Sequence, residues 1–171
     1  PLDDQEWQRV FNLYKSSPEF ISLNSWMDLS AFKEIFWWEY VHRLWGRMIG
    51  LVFFVPLVFF LISRKIPKQL ASKILLITIL GCMQAAIGWW MVKSGLSGEP
   101  SVSQYRLATH LGMAFIILGV LVWTFMDLVV GVKFSTANSI VRHAKLVCGL
   151  ILITILAGAL VAGLDAGLIY N

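Results

Sequence analysis

The stretch WWEYVHRLWGRMIGLVFFVPLVFFLI, residues 37–62, decides the fold. It is long enough to cross a bilayer, which takes about 20 mainly apolar residues. Its charged residues, Glu39, Arg43 and Arg47, crowd into its first turns. Phe36, Trp37, Trp38 and Tyr40 open it, as amphipathic rings do where a helix meets the headgroups. One side chain within it is out of place. His42 is polar and titratable, and such a group below the membrane surface is by default a functional-site candidate.

Three further apolar segments follow, at 74–92, 107–130 and 146–163. Together the four predict an all-α integral membrane protein, an antiparallel four-helix bundle with short connections. Composition agrees: 58% of residues are hydrophobic and 14% charged, where soluble domains carry about 25% charged. No stretch resembles a cleavable signal or transit peptide. The chain opens on Pro1 rather than Met and is expected to be a piece of something longer.

A net charge of +4 would suit a nucleic-acid partner, but its distribution argues against one. The connection 63–73 carries Arg64, Lys65, Lys68 and Lys73 without an acid, and 131–145 carries Lys133, Arg142 and Lys145 without an acid. Residues 1–42 hold seven acids against three bases, and the middle connection has Lys93, Glu99 and Arg106. The positive-inside rule puts the first two connections on the cytoplasmic or matrix side and residues 1–42 on the outer side. The charge reports topology in lipid, and no nucleic acid is expected.

Residues 1–34 are expected outside the membrane, with 35–171 holding the four spans. Trp7, Val10, Phe11 and Tyr14 follow the spacing of one helical face. Ser16-Ser17-Pro18 ends that helix, and Asp28 or Ser30 can cap the next, which runs through Phe32 into the first span. The segment reads as a surface helix resting on the headgroups, or as a lid over an outer-side site. Cys82 and Cys148 lie within spans and read as small hydrophobes; segment 1–42 has no cysteine. Gly81, Ala85 and Gly88 in the second span, and Ala159 and Gly163 in the fourth, are small enough for close helix packing.

The third span runs in the same direction as the first and carries a second histidine near its start. His42 is expected roughly 6–10 Å below the interface and His110 about 5–8 Å, at 1.5 Å per residue. Matched depth is what a flat macrocycle clamped between two imidazoles requires, so the pair points to axial ligands of one heme iron. Gly46 and Gly50 follow His42, and Ala114 follows His110, on the same faces. Such small side chains leave a slot for a porphyrin. The bland readings are a hydrogen-bonded structural histidine and ordinary helix packing at Gly46 and Gly50. His143, in the basic connection, reads as a solvated loop residue.

Glu39 stands one turn before His42, so both point the same way. Among Trp37, Trp38 and Tyr40 its carboxyl is expected to be partly desolvated and tuned for acid–base work, unless it simply pairs with Arg43. Arg43, Arg47 and Arg106 line the outer ends of their spans. Guanidinium groups suit carboxylates, so heme propionates are candidate partners, with snorkelling to headgroups as the alternative. Gln84 reads as an interhelical hydrogen bond.

The stretch Phe32-Lys33-Glu34-Ile35-Phe36-Trp37-Trp38-Glu39-Tyr40-Val41-His42-Arg43-Leu44-Trp45-Gly46-Arg47 resembles the signature of the heme A synthase family, of the kind found in alphaproteobacteria and mitochondria. Gly88-Trp89-Trp90-Met91-Val92-Lys93-Ser94-Gly95-Leu96 is similar to the end of that family's third helix, and Tyr105-Arg106-Leu107-Ala108-Thr109-His110-Leu111-Gly112 to the start of its fourth. Residues 162–171 resemble the end of its fifth. These motifs stand in the family's order and span nearly the whole chain.

The resemblance implies an eight-helix protein of two pseudo-symmetric halves. Such a protein oxidises the C8 methyl of heme O to the formyl group of heme A by successive hydroxylations, for cytochrome c oxidase assembly. His42 and His110 match the histidines of the half where substrate heme O binds, and Glu39 matches an essential glutamate beside them. The other half would hold heme b on two further histidines. By this comparison the chain lacks the first and the last three helices, the second histidine pair, and the outer cysteine pair of some bacterial members. Implied partners are an electron donor, ferredoxin-like or quinol, and heme O synthase. A bacterial inner membrane is favoured over the mitochondrial one. Two readings of other classes stay open: a bis-histidyl electron carrier, and a heme-handling assembly protein without chemistry.

Overall fold

The computed structural model is all-α and describes residues 1, 3–95, 100–131 and 138–166. Its helices are α1 (Asp4–Lys15), α2 (Pro18–Ser22), α3 (Leu29–Ile62), α4 (Lys68–Gly95), α5 (Gln104–Val129) and α6 (Asn138–Gly163). By length and composition α3, α4, α5 and α6 can each cross a membrane, as the four apolar segments predict. Leu96, Glu99, Lys133 and residues 167–171 lie outside the described residues.

The helices outrun the apolar segments. α3 starts at Leu29, and the Asp28 carboxylate accepts from the Ala31 N–H at 2.8 Å as its cap; the boundary drawn at residue 34 therefore falls inside a continuous helix. α6 starts at Asn138, so Arg142, His143 and Lys145 stand on a helix rather than in a loop. The solvated loop expected at His143 is corrected accordingly: its ring stays exposed, and Nδ1–H donates to the Ser139 carbonyl at 2.6 Å. The reason is that hydropathy marks the membrane, whereas backbone hydrogen bonds carry a helix on into polar sequence.

The chain divides into two compact units, residues 1–71 and 72–171. In the first, α1 is capped by Asp3, whose side chain accepts from the Glu6 N–H. Its predicted face is the buried one. Trp7, Phe11, Met27 and Phe32 form a core, with Val10, Tyr14, Phe20 and Phe36 packed against it. Pro18 does more than stop α1: with Ser17 as cap it opens the short α2, since proline suits a first helical turn whose N–H would go unused. Lys33 ties α1 to α3, 3.9 Å from Asp4 and 5.1 Å from the Trp7 ring. α3 ends with the Lys65 N–H on the Phe60 carbonyl and the Arg64 N–H on Leu61. Arg64 sits there at φ +52°, a left-handed position that glycine usually takes. Gly131 takes the corresponding place after α5, at φ +59°.

In the second unit α5 packs along α6 through small residues. Ala108 and Gly112 on α5 and Ala159 on α6 are buried. A Cβ at Gly163 would lie 2.7 Å from the Gln104 backbone, and one at Gly112 would lie 2.9 Å from Leu156. Polar ties join α4 to α5 at both ends. Lys73 pairs with Asp127 and lies over Trp123. Arg106 donates to the Trp90 carbonyl at 2.9 Å and covers the Trp90 ring at 4.4 Å. The two ties are about 26 Å apart along α4 and about 32 Å along α5 at 1.5 Å per residue. That matches the roughly 30 Å hydrocarbon thickness of a bilayer, so each tie sits where polar groups can meet water.

Candidate functional site

On α3 the candidate residues lie in one run. Glu39 and Arg43 form an i,i+4 ion pair, Oε2 to Nη1 at 2.8 Å. The Glu39 side chain is 60% exposed. Trp38 and Tyr40 are adjacent in sequence and leave the helix in other directions, and Arg43 supplies its polar environment instead. His42 and Arg47 are exposed on the same helix. A Cβ at Gly46 or Gly50 would meet nothing within 4 Å.

On the second unit, His110 lies four residues into α5 from Arg106, about 6 Å deeper along the helix. Its ring is half-buried and seated on α4: a Cβ at Gly88 would lie 2.8 Å from Cε1, 3.4 Å from Nδ1 and 3.5 Å from Nε2. One turn away, the Gln84 amide donates to the His110 carbonyl at 3.1 Å, the interhelical bond expected of it. Gln84 Oε1 and His110 Nδ1 are both buried.

Sequence reading missed the role of Gly88, which it took only as packing, and of Trp90, the partner of Arg106. The signal for both was antiparallel register: once Gln84 is set beside His110, Gly88 and Trp90 fall beside His110 and Arg106. Gly81, grouped with Gly88 in sequence, faces open space. Arg43 and Arg106 are thus already engaged within the protein, but a guanidinium has five N–H donors and each can take a further acceptor. A cleft of about 400 Å³ lined by Trp26, Asp28, Ser30, Ala31 and Glu34 lies at the start of α3, and none of the candidate site residues borders it. No group of three or more His, Cys, Asp or Glu side chains gathers as a metal site among the described residues. His42 belongs to the first unit and His110 to the second.

A multi-pass helical membrane protein with a histidine seated against a neighbouring helix near one end of its spans is the class these features define. The whole chain, residues 1–171, matches the COX15-CtaA family, described as cytochrome oxidase assembly protein, and it belongs to that family. It is 45% identical to a protein of Parvibaculum lavamentivorans, and 49% identical to proteins of Maricaulis maris and Mesorhizobium japonicum, each named "Heme A synthase". All of this chain is covered in each case, against 50%, 50% and 47% of the relative. The chain thus spans about half the length of the curated relatives it matches. No solved structure matches it.

Proposed function

We propose that this chain is the substrate-binding half of a heme A synthase. The observation that carries the reading is the match along every residue to proteins bearing that name. His42 and His110 are the axial ligands of heme O, Glu39 is the acid–base group, and Arg43, Arg47 and Arg106 face the propionates. Heme b belongs to the other half. The protein sits in a bacterial inner membrane with residues 1–42 on the outer side and residues 1–34 outside the lipid.

The residues present suit a porphyrin. Imidazole is an iron ligand, guanidinium groups match carboxylates, and the open backbone at Gly46 and Gly50 leaves room for a flat ring. Bound heme O supplies the iron and the C8 methyl that successive hydroxylations convert to the formyl group. The two imidazoles hold the iron and so fix the plane of the ring. The arginines fix its rotation, so that the same methyl is presented at every turnover. Glu39 takes or returns a proton through its carboxylate, which Arg43 holds by Oε2. Each hydroxylation puts one oxygen atom of a dioxygen co-substrate on the methyl carbon and releases the other as water. It takes two protons, and two electrons from a ferredoxin-like or quinol donor. Two rounds give a dihydroxymethyl group that loses water to leave the formyl group, and heme O synthase supplies the substrate.

The test is to purify the protein from its host, extract its heme and identify it by mass. Heme O, its hydroxylated form or heme A supports the enzyme. Heme b alone overturns it in favour of an electron carrier, and no heme at all overturns it in favour of an assembly protein without heme chemistry.

A further inference from the structure

A helix glycine inside an apolar span is normally a packing device, and two of the second unit's close glycines act so between α5 and α6: Gly163 against the Gln104 backbone, Gly112 against the apolar tip of Leu156. Gly88 is different. The atoms that a Cβ there would strike all belong to one imidazole, His110, with Cε1 nearest at 2.8 Å. Real Cβ contacts do not come that close, so any larger residue at 88 must displace the ring. The ring is the far end of a side chain with two rotatable bonds and moves more readily than the α4 backbone. On the same face, one turn earlier, Gln84 donates to the main-chain carbonyl of His110 at 3.1 Å. α4 therefore sets this residue twice: at the backbone through Gln84 and at the ring through Gly88.

We infer that Gly88 and Gln84 are positioning residues for His110, acting together as a seat on α4 that fixes the plane of its imidazole. This rests on the reading of His110 as a heme ligand. Nδ1 of the ring is buried, and Cε1, Nδ1 and Nε2 all lie within 4 Å of where a Cβ at Gly88 would stand. A ligand ring is held in orientation by contacts outside the metal's own coordination sphere. Here a missing side chain and a main-chain hydrogen bond from α4 both contribute to that work.

The experiment compares Gly88→Ala with Gly81→Ala in the full-length protein. Both put the same methyl on α4, but at Gly81 it meets nothing within 4 Å. Two readouts are needed. In heme-free protein labelled with [13Cε1]-histidine, the His110 resonance, assigned by its loss in His110→Ala, moves in Gly88→Ala and stays put in Gly81→Ala. In heme-loaded protein, the low-spin electron paramagnetic resonance signal shifts or broadens in Gly88→Ala alone. Turnover then falls by about 10²-fold, the scale of an ångström's misplacement. Gln84→Met, which keeps the side-chain length and removes the donor, moves both readouts in the same direction, and Gln84→Glu, protonated at low pH, restores them. An unmoved Cε1 resonance in Gly88→Ala overturns the seat. A moved resonance with an unchanged heme signal overturns its role in ligation. If His110→Ala leaves the heme signal intact, the heme reading of His110 fails, while the Cε1 resonance still decides whether the seat exists.

Discussion

Around Phe32 in the N-terminal segment the buried side chains are large: Trp7, Phe11, Met27 and Phe32 itself. Along α5 and α6 they are Ala108, Gly112, Thr124 and Ala159, while Leu118, Val122, Phe125, Leu150 and Ile153 face outward. The N-terminal segment also closes α1, α2 and α3 with side-chain caps at Asp3, Ser17 and Asp28, whereas Ser103 before α5 makes no such bond. The difference follows from the solvent. Water drives large apolar groups together, but lipid is as apolar as leucine, so helices in it associate through close backbone approach and polar ties. The two regions therefore respond to different mutations, and each is expected to carry one heme ligand.

The largest effect tests whether both regions serve one site. His42→Ala, in the first unit, and His110→Ala, in the second, are each expected to abolish heme A formation while leaving membrane insertion intact. Alanine is well tolerated in an apolar span, whereas the loss of one axial ligand leaves the iron misplaced. The measurement is heme A by mass in a host lacking its own synthase. Near-normal heme A from either variant would refute the pairing.

Glu39→Gln comes next. The amide keeps the size and can still accept from Arg43, but it exchanges no proton and carries no charge. Heme is expected to stay bound while turnover falls by about 10²-fold or more, the scale of losing a general acid or base. Unchanged turnover at normal heme occupancy would leave Glu39 as no more than the partner of Arg43.

The contrast in packing breaks in two opposite ways. Phe11, 3% exposed, should cost about 3–5 kcal/mol on truncation to Ala, and hydrogen exchange in nanodiscs should show protection lost over residues 1–28 with α5 and α6 unchanged. Ala159, also 3% exposed, is the mirror case. Ala159→Leu adds volume where the helices already touch, at about 1–3 kcal/mol for overpacking, and should loosen α5 from α6 while the N-terminal segment stays protected. Equal losses in both regions from either variant would mean that the contrast is false.

Most of the elements were legible because each solvent leaves its own pattern. The 3.6-residue spacing of Trp7, Val10, Phe11 and Tyr14 marks a helix beside water, and unbroken apolar runs mark helices in lipid. Helix starts were less so. α6 begins eight residues before its apolar run because Asn138–Lys145 is polar, and polarity says where the membrane ends rather than where the helix does. Among the candidate site residues, the Glu39–Arg43 pair could be read from i,i+4 spacing alone. The seat of His110 on Gly88 could not, because it joins residues 22 positions apart and depends on the register between two helices. A small residue in a sequence shows that close approach is allowed, not what approaches, as Gly81 and Gly88 demonstrate in opposite senses.

The smallest effect sharpens the contrast from the N-terminal side. Glu19 sits half-buried at the foot of α2, where the Tyr14 hydroxyl and the Asn24 amide both donate to its Oε1 at 3.2 Å. Burial pushes its carboxyl above the usual range; the Tyr14 bond pulls the other way, and the negative Glu39 adds to the rise. Tyr14 is raised in turn, first by its own burial. A carboxyl whose folded-state pKa is raised binds protons more readily when folded than when unfolded, so its contribution is present at low pH. That contribution is lost as pH climbs from the ordinary carboxylate range through the raised value. The total pH profile sums over every titratable group of the protein, so it does not isolate Glu19. The difference between wild type and Glu19→Gln does. Gln keeps the acceptor for Tyr14 and Asn24 and cannot ionise, so the variant should gain protection of residues 1–28 relative to wild type as pH rises through that window and match it below. Protection of α5 and α6 should not change at any pH. A constant difference across the range would show that Glu19 acts through its hydrogen bonds alone.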